Sequence, residues 1–163
     1  MKSTGKMRGF TLIELIVVIA IIGILSAILV PSMLSYIKNA KVSRYNANAK
    51  SIYSGAQLAI TDVLKAGKTI EPDTIYICSG EGNAVCVAFG GTEECDITDY
   101  LGENFKGYFG FVTDSGGSGC IYAMWSDNPI NASMFTGILS EQEVKETIDT
   151  STPTGCHPLK TTT

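Results

Sequence analysis

Charged residues and histidine are scarce in this sequence of 163 residues. Charged residues make up 17%, and His157 is the single histidine. One histidine excludes a His-rich metal site, and a catalytic triad would depend on His157 alone. None of the five cysteines forms the C-x-x-C pattern of zinc and redox motifs. Since hydrophobic residues reach 45%, we expect an ordered chain, long enough for one modest domain and an anchor.

Acidic residues are nearly absent from the first part of the chain. Glu14 is the only acid before residue 62, against seven bases, whereas 14 acids and three bases follow from residue 69 onward. The formal net charge is -4, and no basic cluster lies outside this basic first part of the chain, so we expect no nucleic-acid partner. The basic first part of the chain (the stem) in one copy could attract the acidic second part (the head) in another, and salt would weaken that attraction.

A long apolar run follows a short basic leader. Residues 1–9 carry three positive charges, as targeting segments do. Residues 10–30 read FTLIELIVVIAIIGILSAILV, and as a helix they would span about 32 Å, the thickness of a bilayer core. The alternative is the apolar core of an ordinary signal peptide, which is usually shorter and does not tolerate a carboxylate near its start.

That carboxylate belongs to Glu14. A charged side chain inside a membrane helix costs roughly 2.5–3.5 kcal/mol, and no base between residues 10 and 37 is present to pair with it. If the chain were cut after Gly9, the new amino group of Phe10 would lie one helical turn from Glu14. It could pair with its own Glu14 or, in a bundle of staggered helices, with that of a neighbour.

The segment from Gly9 to Glu14, GFTLIE, followed by the apolar run, resembles the N-terminus of type IV pilins. That superfamily includes the pseudopilins of type II secretion and the competence pilins. The resemblance covers residues 1 to about 38 and does not extend to the head. It implies that prepilin peptidase cleaves after Gly9, that Phe10 becomes the N-methylated first residue, and that Glu14 pairs with the amino terminus of a neighbouring subunit.

The resemblance also gives roles to Gly23 and Pro31. They occupy positions where pilin helices lose regular structure inside the filament. Proline removes a backbone hydrogen bond and glycine is a weak helix former, so both residues fit that role. The alternative is a simple kink in a membrane helix.

The function implied is a structural subunit of a type IV pilus. Such a pilin is a homo-oligomeric helical filament protein, first held in the inner membrane and then extracellular, which supports adhesion, motility or surface attachment. Its partners would be prepilin peptidase and the pilus assembly platform with its ATPase. We expect no enzyme activity, cofactor or metal. The alternatives are a minor pilin or pseudopilin of a secretion or DNA-uptake machine, and a membrane-anchored carbohydrate-binding module.

We predict an α+β fold, with a long N-terminal helix packed on an antiparallel sheet. Its parts are a leader (1–9), an apolar helix (10–31), an amphipathic helix (32–67) and a β-rich head (68–163). The amphipathic part has apolar residues at steps of three or four: Tyr45, Ala49, Ile52, Ala56, Ala59 and Val63. The apolar helix (10–31) has no partner within the chain, so lipid or other subunits must bury it.

Short β-rich runs in the head predict strands. They are 75–78 and 84–89, joined by a turn at 79–83, and 107–113 and 120–125, joined by a turn at 114–119. Ser140 to Glu143 reads as a capping box that opens a short helix ending near Asp149. The threonine-rich tail from Thr150 is expected to be loosely held.

All five cysteines lie in the head and are disulfide candidates for an exported protein: Cys78, Cys86, Cys95, Cys120 and Cys156. The odd number leaves at least one unpaired within the chain. Cys78 and Cys86 could face each other across the predicted turn. A bond between Cys120 and Cys156 would hold the tail. Sequence spacing alone leaves both pairings open.

The head offers two weak candidates for ligand-binding chemistry. Aromatic residues at strand spacing could form a sugar-binding strip, although core packing is the favoured interpretation: Tyr108, Phe109, Phe111, Tyr122 and Trp125. Aspartates at 96, 99, 114 and 127 are scattered and lack the spacing of an EF-hand.

Overall fold

The first element is a single long helix, α1, which runs from Leu12 to Lys65. The structure, a computed structural model, describes residues 9–78, 85–88, 94–101, 105–148, 150 and 153–160. The helix ends as predicted, since the N–H of Gly67 bonds to the Leu64 carbonyl and the N–H of Lys68 to the Val63 carbonyl. Gly67 has a φ of 74°, the left-handed conformation that glycine adopts at such helix ends.

The chain divides into two compact units, residues 1–37 and 38–163. In the first unit, the described residues from Leu12 onward belong to α1. The second unit begins with the rest of α1 and contains the sheet. Its buried helix residues recur at steps of three or four along the predicted stripe: Val42, Tyr45, Ala49, Ile52, Gly55, Ala56, Ala59 and Ile60.

The second unit holds an antiparallel sheet of six strands in the described residues, which confirms the α+β fold. The strands are β1 (Ile75–Cys78), β2 (Val85–Ala88), β3 (Glu94–Asp96), β4 (Tyr108–Thr113), β5 (Cys120–Ser126) and β6 (Thr154–His157). Their order across the sheet is β3-β2-β1-β4-β5-β6. Neighbouring strands are antiparallel throughout.

The sheet has a hydrophobic core on each face. One core packs α1 against side chains such as Tyr76, Phe111 and Trp125. The other contains Met124 and Val144, and Val144 belongs to the short helix α2 (Glu141–Thr147). Burial on both faces explains why the strand sequences are largely apolar rather than strictly alternating.

Helix α2 begins with the predicted capping box. The N–H of Glu143 donates to the Ser140 hydroxyl, and the Glu143 carboxylate accepts the Ser140 N–H at 2.7 Å. The predicted end of this helix at Asp149 lies outside the described residues, as do the leader residues 1–8 and the turn at 79–83.

The prediction of a loosely held tail was wrong for Thr154–His157. These residues form β6, which pairs with β5, and Cys156 is completely buried. Their place in the sheet depends on contacts distant in sequence: a Cβ added to Gly155 would lie 2.2 Å from the Tyr45 carbonyl oxygen. Only glycine permits that approach of the strand to α1.

Candidate functional site

The peptide bond between Gly9 and Phe10 is accessible. Both residues precede the first turn of α1, and the Phe10 side chain is 88% exposed. A Cβ built on Gly9 would meet no heavy atom within 4 Å. The bond between Gly9 and Phe10 is therefore exposed and non-helical, and it lies next to an apolar helix.

Thr11 and Glu14 form a capping box at the start of α1. The Glu14 carboxylate accepts hydrogen bonds from the Thr11 backbone N–H at 2.9 Å and from its hydroxyl at 2.6 Å. In return, the Glu14 N–H donates to the Thr11 hydroxyl oxygen at 3.3 Å. This arrangement was not predicted from the sequence, although Thr11-Leu12-Ile13-Glu14 has the T-x-x-E pattern that signals it.

The capping box orients the Glu14 carboxylate without neutralising it. The backbone N–H and the hydroxyl of Thr11 that donate to Glu14 are uncharged. The sequence offers no base between residues 10 and 37. Within residues 10–37, the negative charge is therefore held at the N-terminal end of α1 by hydrogen bonds without a counter-charge.

The helix that follows is apolar on every side. Its most apolar window has a mean hydropathy of 3.0 with none of its residues buried, so α1 is long and apolar enough to cross a membrane. Four consecutive residues, 16–19, are each 46–59% exposed. Since successive residues in a helix point about 100° apart, no polar side is left to face water, and the segment must be covered by lipid or protein.

Gly23 and Pro31 both lie inside the continuous helix. α1 passes through each of them without a break, and a Cβ on Gly23 would meet no heavy atom within 4 Å. The roles given to them in a filament remain predictions.

The aromatic residues of the head are mainly part of its core, which confirms the favoured interpretation. Phe109, Phe111 and Trp125 are almost fully buried. Trp125 packs against Tyr45 with ring centroids 4.8 Å apart, and its indole N–H donates to the Lys106 carbonyl. These rings have no free face to stack on a sugar.

Two aspartates of the head form hydrogen bonds with other parts of the fold. Asp127 accepts hydrogen bonds from Arg44 at 2.6 Å and from the Tyr45 hydroxyl at 2.5 Å, which ties the end of β5 to α1. Asp114 accepts the backbone N–H and the hydroxyl of Ser118, and these hydrogen bonds lower the pKa of its carboxyl. Within the described residues, no three His, Cys, Asp or Glu side chains are grouped to hold a metal.

One of the two predicted disulfides is present. Cys78 and Cys86 are bonded across β1 and β2, as predicted. The proposed bond between Cys120 and Cys156 was wrong, since both are free and buried. They lie in the cores on opposite faces of the sheet.

A β-bulge explains why Cys120 and Cys156 lie on opposite faces of the sheet. Val112 pairs with Tyr122, but Thr113 pairs with Cys120, so Ile121 is an extra residue on β5. Such a residue reverses the alternation of the side chains that precede it. Cys120 consequently faces α1, whereas Cys156, which pairs with Met124, lies in the other core.

Residues 5–30 match the family model described as the prokaryotic N-terminal methylation motif. Among curated proteins, the chain is 39% identical over 93 residues to the type IV major fimbrial protein FimA of Dichelobacter nodosus strain VCS1703A, covering 57% of this chain and 48% of FimA. It is 49% identical over 47 residues to the type IV major pilin protein PilA of Myxococcus xanthus, covering 29% of this chain and 21% of PilA.

A fimbrial protein of Pseudomonas aeruginosa is 30% identical over 92 residues, which cover 56% of this chain and 60% of that protein. The chain therefore spans about a fifth to three fifths of the length of these relatives. No solved structure is detectably similar to it.

Proposed function

We propose that this chain, whose residues 5–30 match the prokaryotic N-terminal methylation motif, is a structural subunit of a type IV pilus. The observation that carries this proposal is the exposed apolar segment of α1 after Glu14, which lies largely within the residues that match the methylation motif. A soluble monomer cannot keep such a surface in water.

The distribution of exposed apolar side chains supports assembly through the N-terminal helix. Among the described residues, nineteen of the exposed large hydrophobic side chains lie within residues 10–37. Only five lie elsewhere: Leu58, Leu64, Val87, Ile121 and Ile138. The surface that needs a partner is therefore concentrated in one segment, which lipid covers before assembly and the helices of other subunits cover afterwards.

We assign cleavage to the bond after Gly9 and methylation to the new amino group of Phe10. Removal of residues 1–9 deletes Lys2, Lys6 and Arg8 and leaves one positive amino group at the end of the apolar helix. That cation supplies the counter-charge that residues 10–37 do not offer to Glu14. In a staggered bundle, the amino group of an incoming subunit pairs with the Glu14 carboxylate of a subunit already in place.

This proposal also specifies location and partners. The precursor is anchored in the inner membrane by α1, where prepilin peptidase reaches the Gly9–Phe10 bond from the cytoplasmic side. The assembly platform and its ATPase then move the subunit from lipid into an extracellular filament of identical copies. Filaments of this kind serve adhesion, motility or surface attachment.

Intact mass spectrometry of sheared surface filaments tests the proposal. The subunit should lack residues 1–9 and carry one additional methyl group, and its formal net charge changes from -4 to -7 with the loss of three bases. Gly9→Val should leave the leader attached and abolish filaments, whereas Gly23→Val in the same helix should still be cleaved. A filament subunit that retains Met1 would refute the proposal.

Electron microscopy of the same fraction separates the alternatives. A subunit that forms the bulk of long filaments is a major pilin. One present at trace level is a minor pilin, and one retained in the inner membrane while secretion depends on it is a pseudopilin.

A further inference from the structure

Three cysteines form a row across the strands β1, β2 and β3. Cys78 is the register partner of Cys86, and Cys86 is also the register partner of Cys95 on its other side. All three are nearly inaccessible to solvent and belong to the core that packs against α1. Their side chains therefore point to the same face of the sheet, with Cys86 in the middle.

The two neighbours of Cys86 differ in backbone geometry. The Cα atoms of Cys78 and Cys86 are 4.2 Å apart, close to the ~4.5 Å of a pair without mutual backbone hydrogen bonds. In an antiparallel sheet, a residue that does not bond to one neighbouring strand directs its N–H and C=O to the other. Cys86 therefore forms a hydrogen-bonded pair with Cys95, with an expected Cα separation of about 5.5 Å.

Both separations allow a disulfide to Cys86, but the outer two cysteines cannot bond to each other. A Cα separation of about 5.5 Å lies within the usual disulfide range of about 4.4–6.8 Å. Cys78 and Cys95 are two strand spacings apart, or about 10 Å, which exceeds the limit of about 7 Å for bridging without backbone movement. Only one of the two bonds to Cys86 can exist at a time.

We propose that Cys86 is a shared disulfide partner, bonded to Cys78 in the resting protein and transferable to Cys95 by intramolecular exchange. The site joins β2 either to β1 or to the edge strand β3. This property belongs to the second unit, and it does not depend on filament assembly.

The exchange requires no external oxidant. The Cys95 thiolate attacks the Cys86 sulfur from the side opposite to Cys78, because Cys86 lies between them in the row. A Cys86–Cys95 bond forms, the Cys78–Cys86 bond breaks, and Cys78 leaves as a thiolate that takes up the proton Cys95 released. The number of thiols and disulfides is unchanged.

The environment of Cys95 makes this exchange slow at neutral pH. Burial, together with the neighbouring Asp96 carboxylate, raises the pKa of the Cys95 thiol to about 11. Since only the thiolate attacks, the rate should rise about tenfold per pH unit between neutral pH and that pKa. Burial also keeps external thiols away, so exchange within the row is favoured over reaction with solutes.

The test is disulfide mapping of the full chain, purified in detergent without reductant. Samples are quenched in acid, alkylated, and digested with trypsin and Glu-C. Cleavage after Lys68, Glu81, Glu94 and Glu103 places the three cysteines on separate peptides. Wild-type protein at neutral pH should give the Cys78–Cys86 pair. Incubation at pH 10 should convert part of it to Cys86–Cys95, with an equal amount of newly alkylated Cys78.

Two variants separate this proposal from general scrambling. Cys78→Ala, refolded from the reduced, denatured chain in a glutathione redox buffer, should form Cys86–Cys95 in most molecules. Cys120→Ala is the matched control and should keep both the resting bond and its alkaline conversion. The proposal is overturned if Cys86 and Cys95 stay reduced in Cys78→Ala. It is equally overturned if pH 10 leaves the wild-type pattern unchanged, or joins Cys86 to Cys120 or Cys156 instead.

Discussion

Replacement of Glu14 by Gln should stop filament assembly while leaving the helix start intact. Glutamine keeps the size of the side chain and also functions at this position of a capping box. Its carbonyl oxygen can accept the two Thr11 hydrogen bonds that the carboxylate accepts at 2.9 and 2.6 Å. The substitution therefore removes the charge and little else, and leader cleavage and membrane insertion should continue.

The expected loss can be worked out from the pairing of Glu14 with the amino group of Phe10. Without the carboxylate, each incoming subunit buries an uncompensated cation, which costs about 3–5 kcal/mol. At about 1.4 kcal/mol per factor of ten, the equilibrium for each subunit addition falls by roughly a hundredfold to several thousandfold. Thr11→Ala is the matched control, because it removes the cap but keeps the charge and should cost only about 0.5–2 kcal/mol.

The assay is the yield of sheared filaments from cells that express only the variant, with the total and processed subunit quantified in the membrane fraction. Glu14→Gln and Glu14→Leu should give processed subunit and almost no filaments, and Thr11→Ala should give filaments at reduced yield. Normal filament yield from Glu14→Gln would refute the charge-pairing argument. A larger defect in Thr11→Ala than in Glu14→Gln would show that the cap matters more than the charge.

Three further predictions concern the second unit. Residues 38–163 alone should be soluble and sediment as a monomer, because the exposed apolar segment is gone; sedimentation velocity would contradict this if it showed large oligomers. Gly155→Ala should lower the free energy of unfolding by about 1–3 kcal/mol, since its Cβ would overlap the Tyr45 carbonyl. The control Gly116→Ala, whose added Cβ would lie 3.5 Å from the nearest atom, should change the free energy of unfolding by less than about 0.5 kcal/mol. Thermal melts of both variants measure these changes. Burial lowers the pKa of His157 from its ordinary 6.5, so the unfolded state binds the proton more tightly and stability should fall as the pH drops from 6.5 toward the folded pKa. This slope in pH-dependent denaturation should vanish in His157→Gln, and its persistence would assign it to other groups.

The elements that could be predicted from the sequence are those with a strong local pattern. α1 has sustained helical periodicity and a glycine at its end, and β1, β4 and β5 are β-rich runs next to glycine-containing segments of the sequence. The segment Gly9–Glu14 is also a local pattern, which is why roles for its residues could be predicted from the sequence alone.

The features that could not be predicted depend on contacts distant in sequence. β6 contains Thr-Gly-Cys-His, which has little intrinsic strand preference, and its burial comes from pairing with β5 and from the close approach of Gly155 to α1. The bulge at Ile121 decides which face Cys120 occupies, and no turn or composition signal marks it. The disulfide between Cys78 and Cys86, on neighbouring strands, was therefore predictable from the sequence, whereas the placement of Cys120 and Cys156 was not.

The absence of charged residues from 15–37 has a consequence for the direction of the proposed assembly. Lipid tails are as apolar as the leucine and isoleucine side chains of neighbouring helices. Transfer of this segment from a bilayer into a bundle of copies is therefore almost neutral in hydrophobic free energy, and it can run either way. If the chain assembles as proposed, the net preference must come from the few polar groups at the end of this segment, and the subunits of a filament should be able to return to the membrane and be used again.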